Sequence, residues 1–143
     1  MAEIDKSVLV PYSNAQMFAL VEAVEDYPKF LPWCAGTRVT HRTENAMDAT
    51  IDIRYRGVEQ SFTTHNTLFA HDRIQMEFRD GPFSELSGVW SFTPLKPGAC
   101  KVQLKLHYAF SSRVLEGLVG PVFHYIATSF VDSFTRRAKA LYG

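Results

Sequence analysis

The segment from Ser111 to Gly143 constrains the fold most, because helical periodicity and many aromatic side chains occur together in it. At 100° per residue, six apolar side chains fall within about 60° of one direction on a helical wheel. A helix with one apolar and one polar side needs a sheet or another helix to cover the apolar side. The apolar stripe consists of Val119, Phe123, Ile126, Phe130, Phe134 and Leu141, and the polar flanks carry His124, Thr128, Asp132, Arg136 and Lys139.

The start of this helix contains residues that disturb helical structure, namely Gly117, Gly120 and Pro121. Because proline lacks the backbone N–H that a helix requires, we expect either a short first helix or a kink there, followed by a long helix. The aromatic stripe has two interpretations. It is either the buried face of an ordinary core helix or one wall of a cavity, and the helix pattern alone does not decide between them.

The N-terminal part of the chain predicts a strand and then two short helical segments. Residues 4–10 alternate as a weak strand that ends at a proline. Ser13 is followed three positions later by Gln16, which is a capping box and predicts the start of a helix. Two prolines within residues 24–33 favour a second short helix or turn.

Between Gly36 and Phe110 the apolar period changes from that of a helix to two, which is typical of strands. In the run 46–56 one face is apolar and the other carries Asp and Arg, so one side of the sheet faces water. We therefore predict an antiparallel meander whose inner face is covered by the C-terminal helix. The predicted strands are 36–43, 46–56, 58–69, 72–79, 86–94 and 99–110.

The composition limits the cellular setting and the partners. The chain has 143 residues, which predicts a single domain over 1–143, and its 15 basic and 15 acidic residues give a formal net charge of zero. DNA is therefore not an expected partner. Cys34 and Cys100 are far apart and form no C-x-x-C motif, so a reducing cytosol is favoured over a disulfide framework or a zinc site. We find no secretory or membrane-spanning segment and expect a cytoplasmic protein, at most peripheral to the inner membrane.

A search for catalytic groups finds none that are arranged to act together. The histidines lack the helical or strand spacing that a metal site prefers. Asp48 and Asp52 share a strand face with Arg54 and Arg56, which favours a solvated mixed-charge surface over an acid–base pair. Cys34 has no histidine beside it in sequence and is interpreted as a small buried residue. We expect no catalytic residue, no metal and no cofactor.

The inner face of the predicted sheet carries the candidate binding residues. In the strand 58–69 the apolar face includes the polar residues Thr64 and Asn66, which either bond within the protein or face a cavity with water or a ligand headgroup. An apolar space with few polar anchors is the usual composition of a small-molecule site, and a solid core is the alternative. The candidate ligand-binding residues are Phe62, Thr64, Asn66, Met76, Phe78, Trp90, Phe92, Leu104, Tyr108, Phe123, Ile126 and Phe130.

Trp90 is the candidate to test first. It lies on a predicted strand beside Gly88, where a missing side chain could leave room for a ligand. We predict that Trp90→Ala stays folded and loses ligand binding, because a side chain that lines a cavity contributes less to stability than one in a packed core. If Trp90 is a core residue, the same change unfolds the protein.

Two motifs carry a resemblance to a known family: residues 26–34, DYPKFLPWC, and residues 80–95, which begin DGPF. Both resemble the coenzyme Q-binding proteins and their bacterial relatives, the ribosome-association toxin RatA proteins, and the ending 134–143 is similar too. The resemblance extends over the whole chain. It implies an α+β helix-grip fold of the START-like superfamily, in which a curved antiparallel sheet wraps around a long C-terminal helix.

The resemblance also implies a function, namely non-enzymatic binding of a polyprenyl quinone such as ubiquinone between the sheet and the C-terminal helix. The quinone would be a bound ligand and not a catalytic cofactor, and transient contact with a membrane would load it. The hydrogen-bond partner of the quinone ring would be Thr64, Asn66 or Tyr108, and the isoprenoid tail would lie along Phe123, Ile126 and Phe130. The cavity gate would consist of Phe30, Trp33 and Phe83.

The same resemblance implies an alternative function as a regulator that binds a ribosomal subunit and blocks subunit joining. Its partners would be ribosomal RNA or protein and a small antitoxin protein. Basic residues near the C-terminus and on the strand 46–56 could form a local basic patch, although scattered solvated charge is favoured. Arg137 returns to the apolar side of the helix, so we expect it to cap or pair there.

Overall fold

An antiparallel sheet of seven strands covers one face of a long C-terminal helix in the computed structural model, which describes residues 2–143. The observed order of strand, two helical segments, six strands and long helix confirms the predicted one. The strands are β1 (Ala2–Val10), β2 (Cys34–Thr40), β3 (Ala46–Tyr55), β4 (Val58–Phe69), β5 (Arg73–Asp80), β6 (Phe83–Lys96) and β7 (Ala99–Phe110). The helices are α1 (Asn14–Glu22), a 3₁₀ helix (Val24–Lys29) and α2 (Arg113–Tyr142).

The sheet is the predicted meander with one addition at its edge. The spatial order is β1-β7-β6-β5-β4-β3-β2, and all neighbouring strands are antiparallel. β1 pairs with β7 along its whole length, from Ala2 opposite Tyr108 to Val10 opposite Cys100. This arrangement confirms the predicted α+β helix-grip fold.

Strand boundaries differ from the predicted ones where irregular pairing extends a strand. β6 begins at Phe83 and ends at Lys96, beyond the predicted 86–94, because register shifts near both ends let pairing with β7 continue. β2 begins at Cys34 and ends at Thr40, earlier than predicted. β3 and β4 are joined by Arg56 and Gly57, whose φ angles of 48° and 80° form a tight two-residue hairpin.

The N-terminal helical segments form where the prolines and the capping box predict them. The side chain of Ser13 accepts a hydrogen bond from the Gln16 backbone at 3.1 Å, and the Gln16 side chain accepts one from the Ser13 backbone at 2.9 Å. The segment predicted as a short helix or turn is the 3₁₀ helix. It is held to α1 by Tyr27, whose buried hydroxyl donates to the Val21 carbonyl.

α2 is one hydrogen-bonded helix of 30 residues with Pro121 inside it, so the expectation of a separate short first helix is wrong. Pro121 has no N–H for the carbonyl of Gly117, but Gly117 is exposed and water can bond that carbonyl instead. The assignment of Leu141 to the buried stripe is also wrong. Leu141 is 51% exposed, because the last turn packs through Tyr142, whose ring lies beside Tyr12.

The other predicted residues of the stripe turn towards the sheet and form the core with it. Val119, Phe123, Ile126 and Phe134 are buried, and Phe130 is half-buried. Completely buried Ala127 lies between them on α2. The space between the inner face of the sheet and α2 is therefore the place where any interior site must be built.

Candidate functional site

Near Phe123 of α2, the space between the sheet and the helix is filled by aromatic rings that surround this side chain. Phe123 contacts Phe83 at a centroid distance of 4.9 Å and Tyr108 at 4.8 Å, and it also meets Phe62 at 5.9 Å and Phe110 at 6.1 Å. All four contacts are edge-to-face, a geometry that aromatic pairs prefer. The predicted site residues Phe62, Phe83, Tyr108 and Phe123 are thus brought together in one cluster, with Phe110 as a member that the sequence did not identify.

Near Trp90 of β6, the same space is filled by a second group of aromatic rings. Trp90 stacks on Phe92 at 6.4 Å and meets Phe134 at 5.3 Å and Phe130 at 6.0 Å, edge to face in both cases. Phe130 is in turn 5.3 Å from Trp33. Since Trp90 is only 2% exposed, its contacts are those of a packed core residue.

The two polar residues of the inner face bond to each other. Thr64 and Asn66 are 5% and 6% exposed, and the Thr64 hydroxyl donates to the Asn66 side-chain oxygen at 2.7 Å. Of the two alternatives left open by the sequence, bonding within the protein is therefore observed. Among the described residues, no fully enclosed side-chain nitrogen or oxygen lacks a partner.

The space expected beside Gly88 is occupied by its neighbours. A Cβ at Gly88 would lie 2.7 Å from the Met76 methyl and 2.9 Å from a Leu106 methyl, so these side chains take the volume that the glycine leaves. The expectation that Gly88 leaves room for a ligand is wrong for this conformation. Met76 and Phe78 are half-buried on β5, and Leu104 and Ile126 are buried deeper, at 1% exposure each.

A recess of about 380 Å³ lies at the margin between α2 and the sheet, and it reaches one of the predicted binding residues. Its wall includes Tyr108 and Phe110 of β7 and Gly120, Pro121 and His124 of α2. Both β7 rings contact Phe123, so the recess borders the first ring cluster directly. Burial raises the pKa of the Tyr108 hydroxyl, which therefore stays protonated and able to donate at neutral pH.

The three predicted gate residues are not an exposed rim. Trp33 and Phe83 are 1% and 4% exposed, and Phe30 is half-buried. The guanidinium of Arg137 lies 5.0 Å above the Phe30 ring, which confirms that Arg137 pairs on the apolar side of the helix. A gating role for these rings stays a prediction that requires them to move.

The outer face of the sheet carries ion pairs and hydrogen bonds of the expected mixed-charge type. Asp48 bonds His65 at 2.7 Å and His41 at 3.1 Å, and Asp52 bonds Arg38 at 3.1 Å. The hydrogen bond from His65 lowers the pKa of Asp48. No cluster that could hold a metal ion occurs in residues 2–143.

Two further features bear on chemistry. Burial raises the pKa of the Cys34 thiol to about 11, which leaves it a poor nucleophile at neutral pH. A groove of about 510 Å³ crosses the outer face of β1, β7, β6 and β5. His107, which lines this groove, lies 3.4 Å from Glu3 and 3.2 Å from Glu85.

Comparison with known proteins identifies full-length relatives. The family described as polyketide cyclase / dehydrase and lipid transport matches residues 10–135. The chain is 44% identical over 143 residues to the ribosome association toxin RatA of Vibrio cholerae, covering 100% of the chain and 99% of the relative. It is 42% identical to RatA of Escherichia coli K12, covering 99% and 90%. It is 23% identical to the mitochondrial coenzyme Q-binding protein COQ10 homolog B of Xenopus laevis, covering 99% of the chain and 59% of the relative.

Solved structures agree with the fold. The solution structure of an 18 kDa protein from Caulobacter crescentus superposes with a TM-score of 0.77 at 28% identity, covering 100% of the chain and 99% of that protein. The Zhui aromatase/cyclase of Streptomyces sp. R1128 superposes with a TM-score of 0.85 at 11% identity, covering 96% and 93%. At that identity the second likeness shows the fold alone.

Proposed function

Because the chain belongs to the polyketide cyclase / dehydrase and lipid transport family, among the relatives of the ribosome association toxin RatA, we propose that it binds a hydrophobic small molecule between the sheet and α2. The ligand class we propose is a polyprenyl quinone, and ubiquinone is the specific candidate. The observation that carries the proposal is the recess at Tyr108, which borders a buried cluster of rings facing α2. The distant coenzyme Q-binding relative supports the ligand class.

The isoprenoid tail would lie along Phe123, Ile126 and Phe130, where aromatic rings now occupy the space. Entry therefore requires the first turns of α2 to move away from the sheet. Movement of those turns is helped by Pro121, which removes one helical hydrogen bond, and by the exposure of Gly117. Each apolar group that becomes well buried contributes about 1.5–3 kcal/mol, so the tail could offset the cost of opening.

The quinone ring would need hydrogen-bond donors, since its carbonyl oxygens only accept. Tyr108 supplies the best placed donor, because the residue lines the recess and its hydroxyl is protonated. The amide of Asn66 is a second candidate, with its oxygen already bonded by Thr64. Such a site, which is mostly apolar and has few polar groups, is the usual arrangement for orienting the ring of a bound ligand.

We propose that the protein is not an enzyme and acts in the cytoplasm, with peripheral contact at the inner membrane. The raised pKa of Cys34 and the paired state of Asp48 support a binding role, since neither group is prepared for nucleophilic or acid–base chemistry. The cyclase among the fold relatives shares only the fold with this chain.

The test is direct analysis of bound lipid. The protein is purified from its own host and extracted with organic solvent, and quinone is sought by mass spectrometry. Binding of a short-tail quinone to the purified protein is measured in parallel, with Tyr108→Phe expected to weaken it by about tenfold because one hydrogen bond is lost. Tyr12→Phe, which lies away from the recess beside Tyr142, is the control and is expected to bind as the wild type does. Repeated absence of quinone together with no uptake of the short-tail quinone would refute the proposal.

A second candidate function, association with a ribosomal subunit, is favoured by the 44% identity over the full length of the Vibrio cholerae relative. It would use the protein surface, with a ribosomal subunit and a small antitoxin protein as partners. The basic surface at the hairpin is small, because it has only two arginines and Arg54 is paired with Glu59 at 3.4 Å. We therefore expect the protein to sediment free of subunits on a sucrose gradient at physiological salt.

The opposite result would reverse the ranking of the two functions. Salt-resistant comigration with one subunit, lost in the double variant Arg54→Glu with Arg56→Glu and kept in Tyr108→Phe, would make ribosome association the primary function.

A further inference from the structure

The outer side of α2 carries a second apolar stripe that is largely exposed in the described chain, with only Tyr125 at its end partly covered by Tyr55. In the first half of the helix, side chains at i, i+4, i+7 and i+11 fall within about 60° of one direction, roughly 160° away from the buried stripe. Val114 is 70% exposed, Leu118 67% and Tyr125 48%. In the second half the same side is polar. The stripe consists of Val114, Leu118, Pro121 and Tyr125. Its polar continuation in the second half of the helix consists of Asp132, Arg136 and Lys139.

The β3–β4 hairpin is fixed beside this stripe by stacked rings. Tyr55 at the end of β3 stacks on Tyr125 with centroids 5.6 Å apart and an interplanar angle of 8°. The guanidinium of Arg56 lies over the Tyr55 ring, 5.2 Å from its centroid. The hairpin thus adds an aromatic surface and a cation to the exposed end of the stripe. We call the stripe with Tyr55, Arg56 and Arg113 the docking face.

Basic charges outnumber acidic ones around the docking face, since Arg56, Arg113, Arg136 and Lys139 are exposed there against Asp132 and Glu116. Arg56 lies at the hairpin end and Arg113 at the first turn of α2, and both are exposed. The acidic residue Glu116 lies one helical turn from Arg113 and also lines the recess. An apolar surface with arginines at its margin complements a layer of anionic headgroups above hydrocarbon.

We propose that the docking face adsorbs to the surface of an anionic phospholipid bilayer. A second copy of the chain fits less well, because the exposed side chains offer on the order of 400 Å² of apolar surface, about half of what one partner of a stable interface buries. α2 as a whole does not cross the bilayer. Its most apolar window has a mean hydropathy of 1.4, but the opposite stripe packs on the sheet.

The position of Pro121 connects the docking face with the recess, because Pro121 belongs to both. With the docking face on a bilayer, the recess would open at the membrane surface, and the first turns of α2 would lie in the headgroup layer. The surface is inferred from exposure and charge alone and does not depend on whether the interior binds quinone.

The test is co-sedimentation of the purified protein with vesicles, made either of phosphatidylcholine alone or of phosphatidylcholine and phosphatidylglycerol in equal parts. We expect stronger binding to the anionic vesicles, decreasing with salt. The double variant Val114→Ser with Leu118→Ser is expected to lower the partition coefficient by about tenfold or more. The matched control is Leu9→Ser with Leu95→Ser, two exposed leucines elsewhere (68% and 52% exposed), and it should bind as the wild type does.

The charge of the docking face is tested in the same assay. Arg56→Glu with Arg113→Glu should remove the preference for anionic vesicles, whereas Lys105→Glu, an exposed residue on the outer sheet face, should preserve it. Circular dichroism melting curves confirm that each variant folds, which is expected because all the changed side chains are exposed.

Three results would overturn the proposal. These are no sedimentation with anionic vesicles, equal binding to neutral vesicles, and equal loss of binding in the control with serines at positions 9 and 95. A dimer in analytical ultracentrifugation that dissociates in the Val114→Ser, Leu118→Ser variant would assign the face to a second copy instead. Because the vesicles contain no quinone, failure here is distinct from failure to find bound quinone.

Discussion

Replacing Trp90 with alanine tests whether the space between the sheet and α2 is a packed core. Trp90 is 2% exposed and has ring contacts with Phe92, Phe130 and Phe134. Removing such a side chain from a packed core costs about 3–5 kcal/mol. For 143 residues the entropy of unfolding is roughly 0.3 kcal/mol per kelvin, so we expect the melting temperature to decrease by about 10–17 °C.

The assay is thermal unfolding followed by far-ultraviolet circular dichroism, with urea unfolding as an independent measure of the free energy. Leu95→Ala, on the same strand but 52% exposed, is the control and should change the free energy of unfolding by less than about 0.5 kcal/mol. Trp90→Phe keeps one ring in the cluster and should lose about half as much stability as Trp90→Ala.

The reasoning from packing would be refuted by a Trp90→Ala protein that melts within about 2 °C of the wild type, since that corresponds to less than 1 kcal/mol. If such a protein also failed to take up a short-tail quinone, Trp90 would line an open cavity. The expectation derived from the sequence for a cavity-lining tryptophan would then be correct, and the closed cluster would be only one of two states of the molecule.

Four further outcomes follow from single sites. Gly81→Ala should lower the free energy of unfolding in urea by about 2 kcal/mol or more, because φ is 140° there and a Cβ would lie 2.7 Å from that of Phe62. Gly98→Ala, with open space around it, should lose only about 1 kcal/mol. Because its pKa is about 11, the Cys34 thiol should react with iodoacetamide at pH 8 far more slowly in the folded protein than in urea. A hydrogen bond from His65 lowers the pKa of Asp48 in the folded protein. The stabilisation from the ionised Asp48 is therefore fully present above the carboxyl pKa of the unfolded chain and is lost as the pH falls through the lower folded-state pKa. Asp48→Asn should accordingly reduce the loss of stability between pH 7 and pH 3.

The architecture could be predicted from the sequence because its determinants are local. Alternation within residues 46–56 and 99–110 indicates which face of each strand is buried, and a meander needs only neighbouring strands to pair. The capping box of Ser13 and Gln16 is equally local, and both of its hydrogen bonds are present. Such features depend little on distant parts of the chain.

The continuity of α2 could not be predicted, because it depends on the surroundings of one carbonyl. Pro121 removes the hydrogen bond to Gly117 in any structure. Whether the helix breaks there depends on whether that carbonyl is left unsatisfied away from water, and Gly117 is exposed. Exposure is a property of the folded chain and is not encoded at either residue.

The contents of the interior could not be predicted for a related reason. Strand parity identified the residues that face α2, but not whether their side chains meet. The volume beside Gly88 is taken by Met76 and Leu106, which come from neighbouring strands. The outer stripe, by contrast, was visible in the sequence, since Val114, Leu118 and Tyr125 follow helical spacing, but the stronger stripe opposite obscured it.

The two proposed functions can be separated because they would use opposite sides of the same elements. A quinone would contact the inner face through Tyr108, whereas a ribosomal subunit would contact the outer side, where Arg54 and Arg56 lie. Tyr108→Phe removes one hydroxyl that is almost fully buried, so it leaves the outer surface unchanged. Reversing the two arginines changes only exposed charge and leaves the ring clusters intact. A loss of function in one variant and not in the other therefore identifies the side of the molecule that acts, and a loss in both would mean that ligand binding and surface contact are coupled through α2.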